Sequence, residues 1–235
     1  KWADVVVWMA AIVGDGACEI NRSETIEINE KSVKWLANNF DKKIIYFSTC
    51  SVYGAQDNIL DENSPTNPLS LYALTKLRCE NILRNKKAII FRLGTLFGIG
   101  DIFSRVRMDL VLNVLVAKGF KEKKIFVFGG KQFRPLLHVK DVGRAVNLSL
   151  KSNKYGIYNL KLKNMKIIDL AEIILKKMPY INLKRVNTPF QDTRNYRVSD
   201  TKAQKNLKFY AKYSVEYGIN QILNLVKENR IKDIN

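Results

Sequence analysis

Histidine is almost missing from this 235-residue chain, with His138 the only one. Cysteine is nearly as scarce: Cys18, Cys50 and Cys79 stand far apart, without a CxxC pair. A His-rich metal centre is thereby excluded, and a Ser-His-Asp hydrolase is confined to that one imidazole. The odd, scattered thiols indicate neither a disulfide framework nor a zinc site. No apolar run approaches the roughly 18 residues that a membrane-spanning helix needs. Lys1 to Asp4 lead directly into a strand-like run and lack the regions of a signal peptide, so a cytoplasmic protein is expected. Repeats and low-complexity stretches are also absent.

Acidic residues are in short supply too, 22 against 40 Lys and Arg, for a formal net charge of +18. Such an excess invites a nucleic-acid reading, because Lys and Arg neutralise phosphates. The basic residues, however, are spread along the chain, with Lys42-Lys43, Lys86-Lys87, Lys121 to Lys124 and Lys176-Lys177 at the ends of apolar segments. A solvated basic surface is expected, with no nucleic-acid partner, and the charge would draw in a small anionic substrate.

What is present alternates. Val5 to Met9, Lys43 to Phe47 and Ala88 to Phe91 are short apolar runs of the kind buried on both faces of a parallel sheet. Between them, Ser23 to Asn39 and about Leu71 to Arg84 have helical spacing. Strand, helix, strand, helix, strand describes an open α/β sheet, in which ligands bind beyond the carboxyl ends of the strands. Past Gly100 the rhythm loosens: a helix is expected over Met108–Ala117, a strand over Lys124–Phe128 and a helix opened by Asp141 as N-cap. A strand over Gly156–Leu160 follows, then helices over Ile167–Met178 and Val215–Val226. The expected fold class is α/β, a Rossmann-like doubly wound parallel sheet over 1–101 with a smaller mixed α+β substrate region over 102–235. About 136–160 is expected to return to the Rossmann sheet.

Three features fall at strand ends: Ser48-Thr-Cys-Ser-Val-Tyr-Gly54, Tyr72-Ala-Leu-Thr-Lys76, and Arg92-Leu-Gly-Thr-Leu-Phe-Gly98. Residues i and i+4 share a helix face, so Tyr72 and Lys76 can serve one pocket. The spacing alone is weak, since Tyr180 and Lys184 have it too. Order and company are what distinguish the first pair.

With these motifs, and with Asp4 to Ala11, Arg134 to Asp141 and Arg194 to Ser199, the chain resembles the extended short-chain dehydrogenase/reductase superfamily. Within it, the similarity is to the NAD-dependent nucleotide-sugar epimerases and dehydratases. The resemblance implies an epimerase or 4-dehydrogenase that oxidises a sugar carbinol by hydride transfer to NAD, NADP being the variant cofactor. Thr49, Tyr72 and Lys76 would be catalytic. A free tyrosine, with a pKa near ~10, is a poor base at neutral pH. A neighbouring ammonium and the positive nicotinamide ring would favour its phenolate. Ala10, Ala11, Asn29, Ser48, Tyr72, Lys76 and Leu93 would hold the cofactor; Thr95, Arg107, Asn113, Arg134 and Arg194 would hold the nucleotide-diphosphate sugar, guanidinium suiting phosphate. Structural readings stand beside these: a turn residue for Thr49, a polar helix residue for Asn29, core packing for Ala10 and Ala11, solvated surface for the last four. The resemblance also implies a homodimer through the helices at Ser23–Asn39 and Leu71–Arg84.

Some of the family pattern is absent. The Gly-rich fingerprint that places a pyrophosphate on a helix N-terminus does not open the chain, and Gly14-Asp-Gly16 lacks a third glycine. A Rossmann sheet without its first strands, binding NAD poorly by itself, is expected. Cys50 and Ser51 occupy the places where sugar dehydratases carry Asp-Glu, which disfavours elimination. Trp8 replaces a histidine of many relatives. The motifs at Ala11–Gly14, Arg107–Leu110 and Arg194–Ser199 are similar to those of enzymes acting on GDP-heptoses in polysaccharide synthesis. The competing readings are an inactive truncated paralogue that serves as a dimer partner and a basic nucleic-acid-binding remnant.

Overall fold

The computed structural model describes residues 3–101, 103, 106–186 and 194–231. The sequence boundaries at Lys1, Ile102 and Asn235 lie outside the described residues. The apolar runs form four parallel strands, β1 (Val5–Trp8), β2 (Lys43–Thr49), β4 (Ala88–Leu93) and β8 (Gly156–Leu160), in that spatial order. Alternation sends Ile44 and Tyr46 to one face of the sheet and Ile45 to the other. On the first face they meet Val33 and Leu36 of α3 (Ser32–Asn39) and Cys79 and Leu83 of α4 (Leu71–Leu83). On the second, Ile45, Ile89 and Phe91 pack under Ala145 of α6 (Val139–Leu150) and Leu207 of α8 (Thr201–Leu207). Both faces are covered, as a parallel sheet requires.

All four strands point the same way, so their carboxyl ends share one edge, and the register sets Thr49 beside Leu93 and Leu93 beside Leu160. Around that edge the second half builds a separate core. It comprises α5 (Val111–Glu122), β6 (Lys124–Phe128), α7 (Ile167–Lys177) and α9 (Val215–Lys227), centred on Leu112, Val116, Ile174 and Ile222. Two smaller sheets join the halves, β5 (Thr95–Phe97) with β7 (Phe133–His138) and β9 (Lys163–Lys166), and β3 (Ala55–Leu60) with β11 (Asn195–Val198), while β6 pairs with β10 (Asn182–Val186) inside the second half.

Several expectations change. The helix expected from Met108 starts at Val111, because Arg107 and Asp109 pair with each other and Asn113 Nδ2 donates to the Arg107 carbonyl at 3.0 Å. The helix expected over Ser23–Asn39 is three segments, α2 (Arg22–Ile26), a π-turn over Glu27–Lys31 and α3, preceded by α1 (Asp15–Ile20). Asp141 is not the N-cap of α6. His138 is, its Nδ1 accepting from Lys140 N at 3.1 Å, while Asp141 is wholly buried, accepting from Lys212 N and Tyr213 N and pairing with Arg144. Within 136–160, β7 belongs to a small sheet, whereas α6 and β8 return to the large one. So do α8 and Phe209.

Candidate active site

The loop before α4 ends at Ser70, whose Oγ caps the helix by accepting from Ala73 N at 3.2 Å. Helical spacing then stacks Tyr72, Lys76 and Glu80 down one face toward the sheet. Lys76 is buried, its Nζ 4.9 Å from the Tyr46 ring centroid and 5.9 Å from that of Tyr72. Among the described residues this ammonium has ring contacts but no hydrogen bond, and burial holds its pKa down at about 8. Burial pushes the Tyr72 phenol well above its ordinary value. The Arg107 guanidinium opposes that shift, and Cys18, Asp15 and Tyr196 add to it. The largest opposing charge on Tyr72 is thus Arg107 rather than the lysine that the sequence pointed to.

Thr49 ends β2. Its Oγ1 accepts from Ser51 N at 3.1 Å, closing the 3-10 turn Cys50–Tyr53, so its own O–H is left to donate. Ser51 Oγ lies 3.1 Å from Tyr196 Oη, which brings β11 to the same place. Cys50 is buried against the Arg92 carbonyl at 3.2 Å, and burial raises its pKa far out of the range of a useful base.

Ala10 and Ala11 follow β1 at the sheet edge. Asn29 is buried and acts on this segment through the backbone: its Oδ1 accepts from Ile12 N at 2.7 Å and its Nδ2 donates to Ile12 O at 2.9 Å. Leu93 and Thr95 bracket the end of β4, with Thr95 paired to Leu136. Asn113 is fully buried, accepting from Gly98 N at 3.0 Å while it donates to Arg107 O, so it holds Arg107 in place. Arg134 Nη1 donates to the Arg194 carbonyl at 2.5 Å, its guanidinium 5.7 Å from the Tyr196 ring centroid. Arg194 pairs with Asp15 at 2.8 Å. Arg107, Arg134 and Arg194 therefore belong to one neighbourhood with Tyr72 and Tyr196.

Ser48 behaves differently. Its hydroxyl donates to Glu80 Oε1 at 2.5 Å, inside a buried network that the motif reading missed. Arg92 forks onto Glu80 at 2.7 and 3.0 Å and donates through Nη1 to Tyr53 Oη at 2.8 Å. The Tyr53 phenol in turn serves the Asp61 carbonyl at 2.7 Å and Asn159 Oδ1 at 2.9 Å. Glu80 lies on α4 four residues beyond Lys76, on the same helix face.

A buried ammonium with a lowered pKa makes a pH prediction. The folded-state pKa of Lys76, about 8, lies below the value of 10.5 for an unperturbed lysine. The stability linked to this group is therefore present above pH 10.5 and lost as pH falls through 8. Lys76→Met is expected to melt higher than the parent at pH 7, with the gap narrowing as pH rises toward 10, measured by thermal unfolding across pH. A constant gap would contradict the lowered pKa.

The residues present suit a dinucleotide. A buried ammonium without a hydrogen-bond partner, at the carboxyl edge of a parallel sheet, matches the hydroxyls of a ribose. No group of His, Cys, Asp and Glu among the described residues forms a metal site. No helix among them is long and apolar enough to cross a membrane.

The chain is 28% identical over 204 residues to a UDP-glucuronate 4-epimerase of Thermodesulfobacterium geofontis, covering 80% of this chain and 60% of that protein. It is 28% identical over 226 residues to a putative UDP-glucose 4-epimerase of Methanocaldococcus jannaschii, covering 90% and 70%. The chain thus spans about 60–70% of the length of these relatives. Its fold matches the crystal structure of UDP-glucuronic acid 4-epimerase from Bacillus cereus, in complex with UDP-glucuronic acid and NAD. The TM-score is 0.83 and the identity 23%, over 96% of this chain and 76% of that one. Residues 2–160 match the model of the NAD dependent epimerase/dehydratase family, and the chain belongs to that family.

Proposed function

We propose that this chain is the catalytic part of a nucleotide-sugar 4-epimerase or 4-dehydrogenase that uses NAD, or NADP in its place, and works as a cytoplasmic homodimer. The observation that carries the reading is the Tyr72–Lys76 pair on α4, with the Arg107 guanidinium acting on the Tyr72 phenol and Arg134 and Arg194 acting on the neighbouring Tyr196. The names of the relatives favour UDP-sugars over the GDP-heptoses indicated by the short motifs. Neither the inactive-paralogue nor the nucleic-acid reading is favoured, since the family and the relatives are nucleotide-sugar enzymes. Trp35, 62% exposed on α3 beside α4, supplies apolar area for the dimer.

Held at its ribose by Lys76, NAD would supply the hydride acceptor for the sugar carbinol carbon. Tyr72, as phenolate, removes the proton of the hydroxyl on that carbon. Thr49 donates its O–H to the same sugar oxygen and holds it in line. Lys76 holds the ribose and stabilises the phenolate charge. The arginines engage the diphosphate, and Ala10 and Ala11 keep the cofactor edge open. With Cys50 buried and protonated, no base stands ready there for elimination.

The test is incubation of the protein with NAD and, separately, UDP-glucose, UDP-glucuronate and a GDP-sugar, followed by chromatography of the sugars. A new 4-epimer identifies an epimerase. A keto sugar with an equivalent of reduced cofactor identifies a dehydrogenase. Unchanged sugars in every case, with NAD shown to be bound, would refute the proposal.

A further inference from the structure

Asp15 opens α1 directly after Gly14, whose φ of 103° lies in the left-handed region open to glycine. Its carboxylate has partners on two different elements. Oδ1 accepts from the Ser70 hydroxyl at 2.7 Å, and Oδ2 pairs with Arg194 Nη1 at 2.8 Å. Ser70 is the cap of the helix that carries Tyr72, and Arg194 leads into β11, which carries Tyr196. The Arg107–Asp109 pair lies against the other side of the same turn, within 4 Å of the space that a side chain at Gly14 would fill. The cap of the catalytic helix and the arm bearing a phosphate-seeking arginine are joined through one carboxylate.

We infer that Asp15 is a positioning residue for the proposed reaction: it fixes the start of the Tyr72 helix against the Arg194 arm and so sets where the nucleotide sugar meets Tyr72. The inference rests on the function proposed above. Side-chain exposures of 25% for Arg194 and 35% for Asp15 make the pair worth little as bulk stability, so its effect is geometric and local. Its charge also bears on the phenol. Asp15, Cys18 and Tyr196 hold the Tyr72 pKa up, Arg107 holds it down, and Lys76 lies beneath the ring.

The test uses Asp15→Asn, which keeps an acceptor for Ser70 and removes the charge, together with Arg194→Gln and the double variant. Each single variant is expected to lower kcat/KM by about fivefold or more, and the double to be no worse than the poorer single, as for partners in one interaction. In Asp15→Asn the acid limb of the kcat profile, which reports Tyr72 losing its proton, is expected to move down by on the order of half a pH unit. A purely structural role would leave that limb in place. Multiplicative losses in the cycle, or an unmoved limb, would each overturn the inference. A readout independent of turnover is hydrogen exchange of the Ala73 amide, which the Asp15-bound Ser70 cap holds: faster exchange in Asp15→Asn is expected, and parent-like exchange overturns the link. If Tyr72→Phe keeps normal turnover, the functional reading fails while the exchange measurement still judges the Asp15 link.

Discussion

Tyr72→Phe is expected to cut turnover by about 10²–10⁴-fold, the range for removing a positioned general acid–base group. The Tyr72 hydroxyl makes no hydrogen bond among the described residues, so its loss costs the fold little. The ring stays to cover Lys76, 5.9 Å below it. Cofactor binding and melting temperature should therefore stay near the parent values while kcat falls. That pattern separates loss of a transition-state interaction from loss of structure. Steady-state kinetics with the nucleotide sugar found active, paired with fluorescence titration of the cofactor, measures both. Turnover within tenfold of the parent would remove Tyr72 from the chemistry.

Breaking the Glu80–Arg92 pair carries the largest expected cost in stability. The two side chains are 1% and 4% exposed, so truncating one leaves a charge buried without its partner. Such losses run to roughly 3–5 kcal/mol. For a chain of this size that lowers Tm by roughly 6–20 °C. Glu80→Leu strands the Arg92 guanidinium and the Ser48 hydroxyl, and Arg92→Met strands Glu80 and takes a donor from Tyr53. The double variant should recover part of the loss, because replacing both ions with apolar groups removes the uncompensated charge. Thermal and urea unfolding of the three variants settle it; a single variant losing under about 1 kcal/mol would mean the network is far less coupled than its distances imply.

The fold was legible where hydrogen bonding is local or where a strand is buried on both faces. The runs that became β1, β2, β4 and β8 are continuous apolar stretches, and α4 follows its spacing, whereas α1 was not read and a π-turn breaks the helix expected over Ser23–Asn39. The short strands β3, β5, β7, β9, β10 and β11 were not read: β3 (Ala-Gln-Asp-Asn-Ile-Leu) has little apolar periodicity, and its pairing with β11 joins segments far apart in sequence. In the site, Tyr72, Lys76 and Thr49 were found from motifs. The amides of Asn29 and Asn113 are spent on the backbone of Ile12, Gly98 and Arg107, which no motif reveals. Ser48 bonds Glu80 because strand alternation aims its side chain at α4. Asp15 and Glu80 carry no motif; only the fold joins them to the residues that do.

Thr49 ends a strand flanked by β1 and β4, under helices on both faces, whereas Tyr196 belongs to a four-residue strand, entered from Arg194, with one partner and an irregular register. The two supports therefore differ in kind: one is a slab, the other a ribbon. Backbone amides are expected to exchange their hydrogens faster along the ribbon than along the slab.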